Sequence, residues 1–103
     1  MPPLTVETDR RIVLLFPPEQ WEIVRSLLVE ECGNNLPFCE NSTDLAMDRC
    51  RFAVLKLSNG NLDKLRSALL LAKQDWRDLL VAAGFAERLE AHRSWLPARA
   101  PQG

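Results

Sequence analysis

Leu62, Leu65, Leu69, Ala72, Trp76, Leu79 and Ala83 recur at alternating steps of three and four residues. Such steps bring apolar side chains onto one stripe of an α-helix, and no strand presents them on one face. The spacing predicts a single helix over 62–83. Leu70, Leu71, Leu80 and Val81 lie beside the stripe and widen it, which predicts burial on more than one side. Asp63, Lys64, Arg66, Lys73, Gln74, Arg77 and Asp78 fall mainly outside it. Gly84 ends the run, because glycine takes the left-handed conformation without strain, and Phe85 is placed for the apolar contact that accompanies such a cap.

The remaining segments are organised around that helix. The chain holds 18 Leu and 10 Ala against 11 Val, Ile and Thr together, a balance that favours helix over strand. Pro17-Pro18 opens a second helix over 18–32, where a missing N–H is harmless. Trp21, Val24 and Leu28 form its stripe, and Gly33 is its stop. Residues 33–43 carry turn chemistry. Residues 44–58 read as a helix with Ala46, Cys50, Ala53, Val54 and Leu57 on one face. As a strand, only Phe52–Leu57 qualifies. Ser58-Asn-Gly-Asn61 reads as a helix–helix turn, and Phe85, Leu89, His92 and Leu96 as a last helix over 86–95, stopped by Pro97. Residues 1–10 and 97–103 are expected to be loose ends, and Ile12–Phe16 a short strand or an extended segment on the core. The prediction is a mainly α protein, one domain over 1–103, built as a small bundle of about four helices. The alternative is an α+β fold with short strands near 12–16 and 52–57.

Thirteen basic and 14 acidic residues give a net charge of −1. That balance argues against a nucleic-acid partner, which asks for a basic excess. Helix 44–58, a glycine turn and helix 62–83 do trace a helix-turn-helix outline, but the second helix is too long and too apolar to read a groove. Residues 1–41 carry net −4 and residues 42–103 net +3. Either the two halves complement each other within one fold, or they steer a charged partner. The apolar run 12–16 is too short for a signal-peptide core, and no stretch approaches the ~18 apolar residues of a membrane span. A soluble cytoplasmic protein without membrane contact is expected.

Chemistry-bearing residues are sparse. Six residues separate Cys32 from Cys39 and ten separate Cys39 from Cys50, with His92 the only histidine. Structural zinc sites use close ligand pairs, so no metal site is expected, and no cofactor. Glu30 and Glu31 beside Cys32 oppose formation of a reactive thiolate. His92 on an apolar stripe reads as a packed histidine. Asp75 and Asp78 share a helix face with Arg77 nearby in sequence, and Asp48 is a possible neighbour across a helix interface. Paired carboxylates can carry acid–base chemistry, but a solvated face is the more frequent outcome. No glycine-rich phosphate loop is present. Trp21, Trp76 and Trp95 read as core, with Trp95 the first choice for an exposed aromatic anchor.

The stretch Phe52-Ala-Val-Leu-Lys-Leu-Ser-Asn-Gly-Asn-Leu-Asp-Lys-Leu65, continuing to Lys73-Gln-Asp-Trp-Arg-Asp-Leu-Leu-Val-Ala-Ala-Gly-Phe85, resembles a segment of small uncharacterised bacterial proteins. The resemblance implies no activity, and it draws attention to Asp75, Trp76, Arg77 and Asp78. The leading functional expectation is a non-enzymatic helical module for protein–protein association, including a homodimer, using Leu70, Leu71, Leu80, Val81 and Trp95. The competing expectation is a small enzyme or ligand-binding domain built on Asp75, Arg77 and Asp78.

If the thiols serve packing alone, replacing Cys32, Cys39 and Cys50 together by Ala or Ser leaves a folded protein. A chelator then leaves the thermal midpoint in place. Unfolding by chelator, followed by circular dichroism, is the contrary result.

Overall fold

The structure, a computed structural model, describes residues 4–32, 44–87 and 92–97. It is a compact, mainly helical bundle with no strand among the described residues. In chain order the helices are α1 (Val6–Leu15), α2 (Trp21–Glu31), α3 (Asp44–Ser58), α4 (Leu62–Gln74) and α5 (Trp76–Ala83), with a 3₁₀ turn at Pro18–Gln20 leading into α2.

α3 is the centre. It packs against α1, α4 and α5. Six consecutive residues, Cys50 to Leu55, are buried, so the helix has no solvated side over that stretch. This explains why its sequence lacks a clean polar face. The core joins Ile12 of α1 and Phe16 at its end, Val24 and Leu28 of α2, and Leu65, Leu69, Leu79 and Leu80 of α4 and α5 around it.

Four expectations are corrected. Residues 6–15 are neither arm nor strand but helix α1, whereas 52–57 is helical as the leading expectation had it. Thr5 starts α1, its hydroxyl accepting from the Thr8 N–H at 3.2 Å, while Glu7 and Asp9 occupy the first turn, where the helix dipole favours acids. The helix over 62–83 is two helices. Asp75 is extended (φ −159°, ψ 92°) and its carboxylate accepts from the Arg77 and Asp78 N–H groups at 3.1 and 3.2 Å. Aspartate is among the strongest N-caps, so it ends α4 and begins α5 without disturbing the apolar stripe. Finally, the helix expected over 86–95 is absent at Ala86, Glu87 and residues 92–95, while 88–91 lie outside the described residues. The expected loose end at 97–103 lies outside them beyond Pro97.

Gly84 does cap α5, at φ 80°, with the Phe85 N–H donating to the Leu80 carbonyl at 2.8 Å and Phe85 buried. Lys56 of α3 donates from Nζ to the Ala83 carbonyl at 2.8 Å, where the dipole favours a cation.

The turn joining α3 to α4 is pressed onto α1. Gly60 sits at φ +79°, and a Cβ there would lie 2.6 Å from the Leu15 carbonyl oxygen. Gly60→Ala should therefore destabilise by ~1–3 kcal/mol, through both strain and collision. Leu69→Ala should cost ~2–5 kcal/mol, as for other buried leucines, and the half-buried Trp76 less. Urea denaturation checks each value. An unchanged midpoint for Gly60→Ala would mean that the turn moves freely off α1.

Candidate functional site

The sequence-predicted residues do not converge. Leu70 and Val81 are 57% and 66% exposed, as a leftover apolar surface requires. Leu71 is half-buried. Leu80 is only 3% exposed and belongs to the core, a correction to its place in that surface. It falls one residue from Leu79 on the α5 face turned to α3 and α4. Trp95 is half-buried, with its ring 6.3 Å from Phe52 and 6.1 Å from Phe85. Asp75 is exposed and engaged as a helix cap. Arg77 stacks over Trp76 at 5.4 Å, and Asp78 is exposed. Asp48 is not their neighbour; it is held by α1.

A polar cleft of about 450 Å³ opens instead beside α1, lined by Glu7, Arg11, Asp48, Phe52, His92 and Arg93. Arg11 is 2% exposed. Its guanidinium lies 4.1 Å from the centre of the Phe52 ring. Nε donates to the Trp95 carbonyl at 3.1 Å, Nη1 to the Glu7 carboxylate at 2.8 Å and the Glu7 carbonyl at 2.7 Å, and Nη2 to the Arg93 carbonyl at 3.4 Å. The Thr5 and Thr8 hydroxyls both donate to Asp48 at 2.9 Å. His92 is 1% exposed and meets the Phe52 ring edge-on at 4.9 Å. The packed histidine expected from the sequence is found, in a turn rather than on a helix.

Three of the cleft's charges, on Glu7, Arg11 and Asp48, are matched from within. Arg11 answers Glu7, and Asp48 is satisfied by two hydroxyls, so neither needs a bound ion. Among the described residues no group of three or more His, Cys, Asp or Glu is placed to hold a metal. Cys32 and Cys50 are buried and not disulfide-bonded, and Cys39 lies outside the described residues. Sequence reasoning missed Thr5, Thr8 and Arg11. The signal was present: a threonine followed by Glu7 and Asp9 marks a helix start.

A second concavity has a different character. Between α2 and α4 runs a groove of about 290 Å³, lined by Leu27, Glu31, Arg66, Leu69, Leu70 and Lys73. Lys73 and Glu31 form an ion pair across it. Leucines make the floor, and the α4 rim is cationic. A shallower groove of about 220 Å³ on the other side of α4 is lined by Leu57, Lys64, Ser67, Ala68 and Leu71. α4 thus stands proud, with concave surface on both flanks.

The hydrogen bond from Arg11 holds the Glu7 carboxyl below its ordinary value, against the opposing effect of desolvation and with help from the nearby arginine charges. Folding lowers this pKa, so its contribution is present above the ordinary value and fades as pH falls through the lowered one. In Arg11→Met the Glu7 titration, followed by NMR, should move up to the ordinary range. Exchange of the Trp95 amide, which donates to His92 O at 3.0 Å, should quicken. The orphaned carbonyls should cost ~1–3 kcal/mol. An unmoved Glu7 titration would contradict the pairing.

Compared with protein-family models, curated proteins and solved structures, the chain matches none.

Proposed function

We propose that the chain is a non-enzymatic helical interaction module that works by binding protein, in the first instance a second copy of itself. One observation carries this reading: Leu70 stands 57% exposed on the rim of a groove floored by Leu27 and Leu69. A single exposed leucine is ordinary on any surface. A leucine beside a concave apolar floor is an anchor with a place for a partner's side chain. Val81 on α5 adds a second exposed aliphatic. Burial of such surface contributes ~25 cal/mol per Å², before the cost of association is subtracted.

The enzymatic alternative finds less support. Asp75 is occupied as a cap, and none of Asp75, Arg77 or Asp78 lines the polar cleft. Nucleic-acid binding through α3 and α4 is weakened because Leu65, Ala68, Leu69 and Ala72 turn α4 into the core. No helix among the described residues is long and apolar enough to cross a membrane. An odd set of three cysteines without paired spacing suits a reducing compartment, and we propose that the module works in the cytoplasm.

Sedimentation equilibrium across the micromolar range tests the reading. The wild-type mass should rise with concentration toward that of a dimer. Leu70→Glu should remain monomeric, with an unchanged melting temperature because the position is exposed. A constant monomer mass for the wild type would remove self-association.

A further inference from the structure

The two helices that flank the leucine groove carry opposite charge on their outer faces. On α2, Ile23, Leu27 and Glu30 follow one another at helical spacing, with Glu22 and Ser26 beside them. Ile23 is 45% exposed, and Glu22, Ser26 and Glu30 are exposed. On α4, Arg66, Leu70 and Lys73 form the corresponding stripe, all exposed. Each face has one prominent exposed aliphatic side chain set among charges of one predominant sign. Among the described residues, neither Glu30 nor Arg66 has an ion-pair partner within the chain, and Glu22 touches Arg25 only at 4.0 Å.

We infer that two copies pair through this groove about a two-fold axis, α2 of each lying on α4 of the other. The inference rests on the self-association proposed above and specifies its surface. The register follows from contacts inside one chain. Glu31 is level with Lys73, which it pairs, and Leu27 is level with Leu69 and Leu70. A dyad running along the groove keeps those levels. It lays Leu27 and Ile23 of the second copy against Leu70, brings its Glu22 toward Arg66, and adds its Glu30 to the Lys73–Glu31 pair. The same contacts recur on the other side of the axis, so one acidic and one basic helix close the surface on itself. A polymer through this face is thereby excluded, because both halves are consumed in the pair. A different partner would have to supply an acidic face for α4 and a basic face for α2, a combination that a second copy already carries. The face is only two helices wide, at the small end of stable interfaces, which suits roughly micromolar association.

Reciprocal charge reversal tests the pairing. One variant carries Glu22→Lys and Glu30→Lys; the other carries Arg66→Glu and Lys73→Glu. All four positions are exposed, and circular dichroism confirms that each variant is folded. Alone, each variant sets like charges against each other twice, and its dimer should weaken roughly tenfold or more. Mixed in equal amounts, the two restore both opposite-charge contacts. Sedimentation of the mixture should therefore show a heterodimer of wild-type strength. A wild type that is monomeric throughout overturns the self-association itself. A wild type that dimerises while either variant dimerises equally well, or while the mixture fails to recover, overturns the α2-on-α4 pairing alone. Species larger than a dimer for the wild type overturn the two-fold closure.

Discussion

The constraint on which the rest of the structure depends is the burial of α3 on every side over residues 50–55. The helix also carries the cations Arg49, Arg51 and Lys56, and each finds a carbonyl acceptor. Arg51 donates to the Cys32 carbonyl at the end of α2 at 3.0 Å, Arg49 to the Phe85 carbonyl at 2.9 Å, and Lys56 to the Ala83 carbonyl at the end of α5. Helix C-termini leave carbonyls without intrahelical donors and concentrate partial negative charge. The cations of α3 are thus placed where their neighbours end. Packing and polar satisfaction are solved by the same residues, which fixes where α2 and α5 stop against the central helix.

Arg11 repeats the arrangement from α1. Its stem and guanidinium cover Phe52 of α3, and its N–H groups reach the carbonyls of residues 93 and 95. Glu7, Arg11, Asp48 and the two threonines beside that cleft are all engaged within the chain. The groove between α2 and α4 is the contrast, since there the chain leaves leucine exposed and charges unanswered. Paired charges in the polar cleft and an exposed leucine on the rim of the other concavity are what set the two surfaces apart.

The legible part of the fold was the part with period. Leu65, Leu69, Ala72, Leu79 and Ala83 are buried as their spacing required, and the bounds of α3 coincide with the segment expected from sequence. Periodicity was silent about Asp75, because a one-residue interruption leaves the stripe in phase on both helices. It misled at α1, whose inner face includes Thr8 and Arg11. Polar residues that are buried through hydrogen bonds look, in sequence, like residues that are not buried at all. Of the leftover apolar positions, Leu70 and Val81 could be told from Leu80 only by their exposure in the folded chain.

The Arg11 contacts also bear on the order in which the chain organises itself. The bond to Trp95 joins residues 84 positions apart, whereas α3, α4 and α5 follow one another through very short turns and pack together. Closing a large loop costs entropy before any contact offsets it, and local pairings escape most of that cost. Low loop-closure cost therefore favours early pairing of the three consecutive helices, with α1 and the segment around Trp95 joined to them over longer stretches of chain. The Arg11 bonds to the Trp95 and Arg93 carbonyls form only when α1 and that segment are both in place, so Arg11 acts as a latch between the two ends of the described chain.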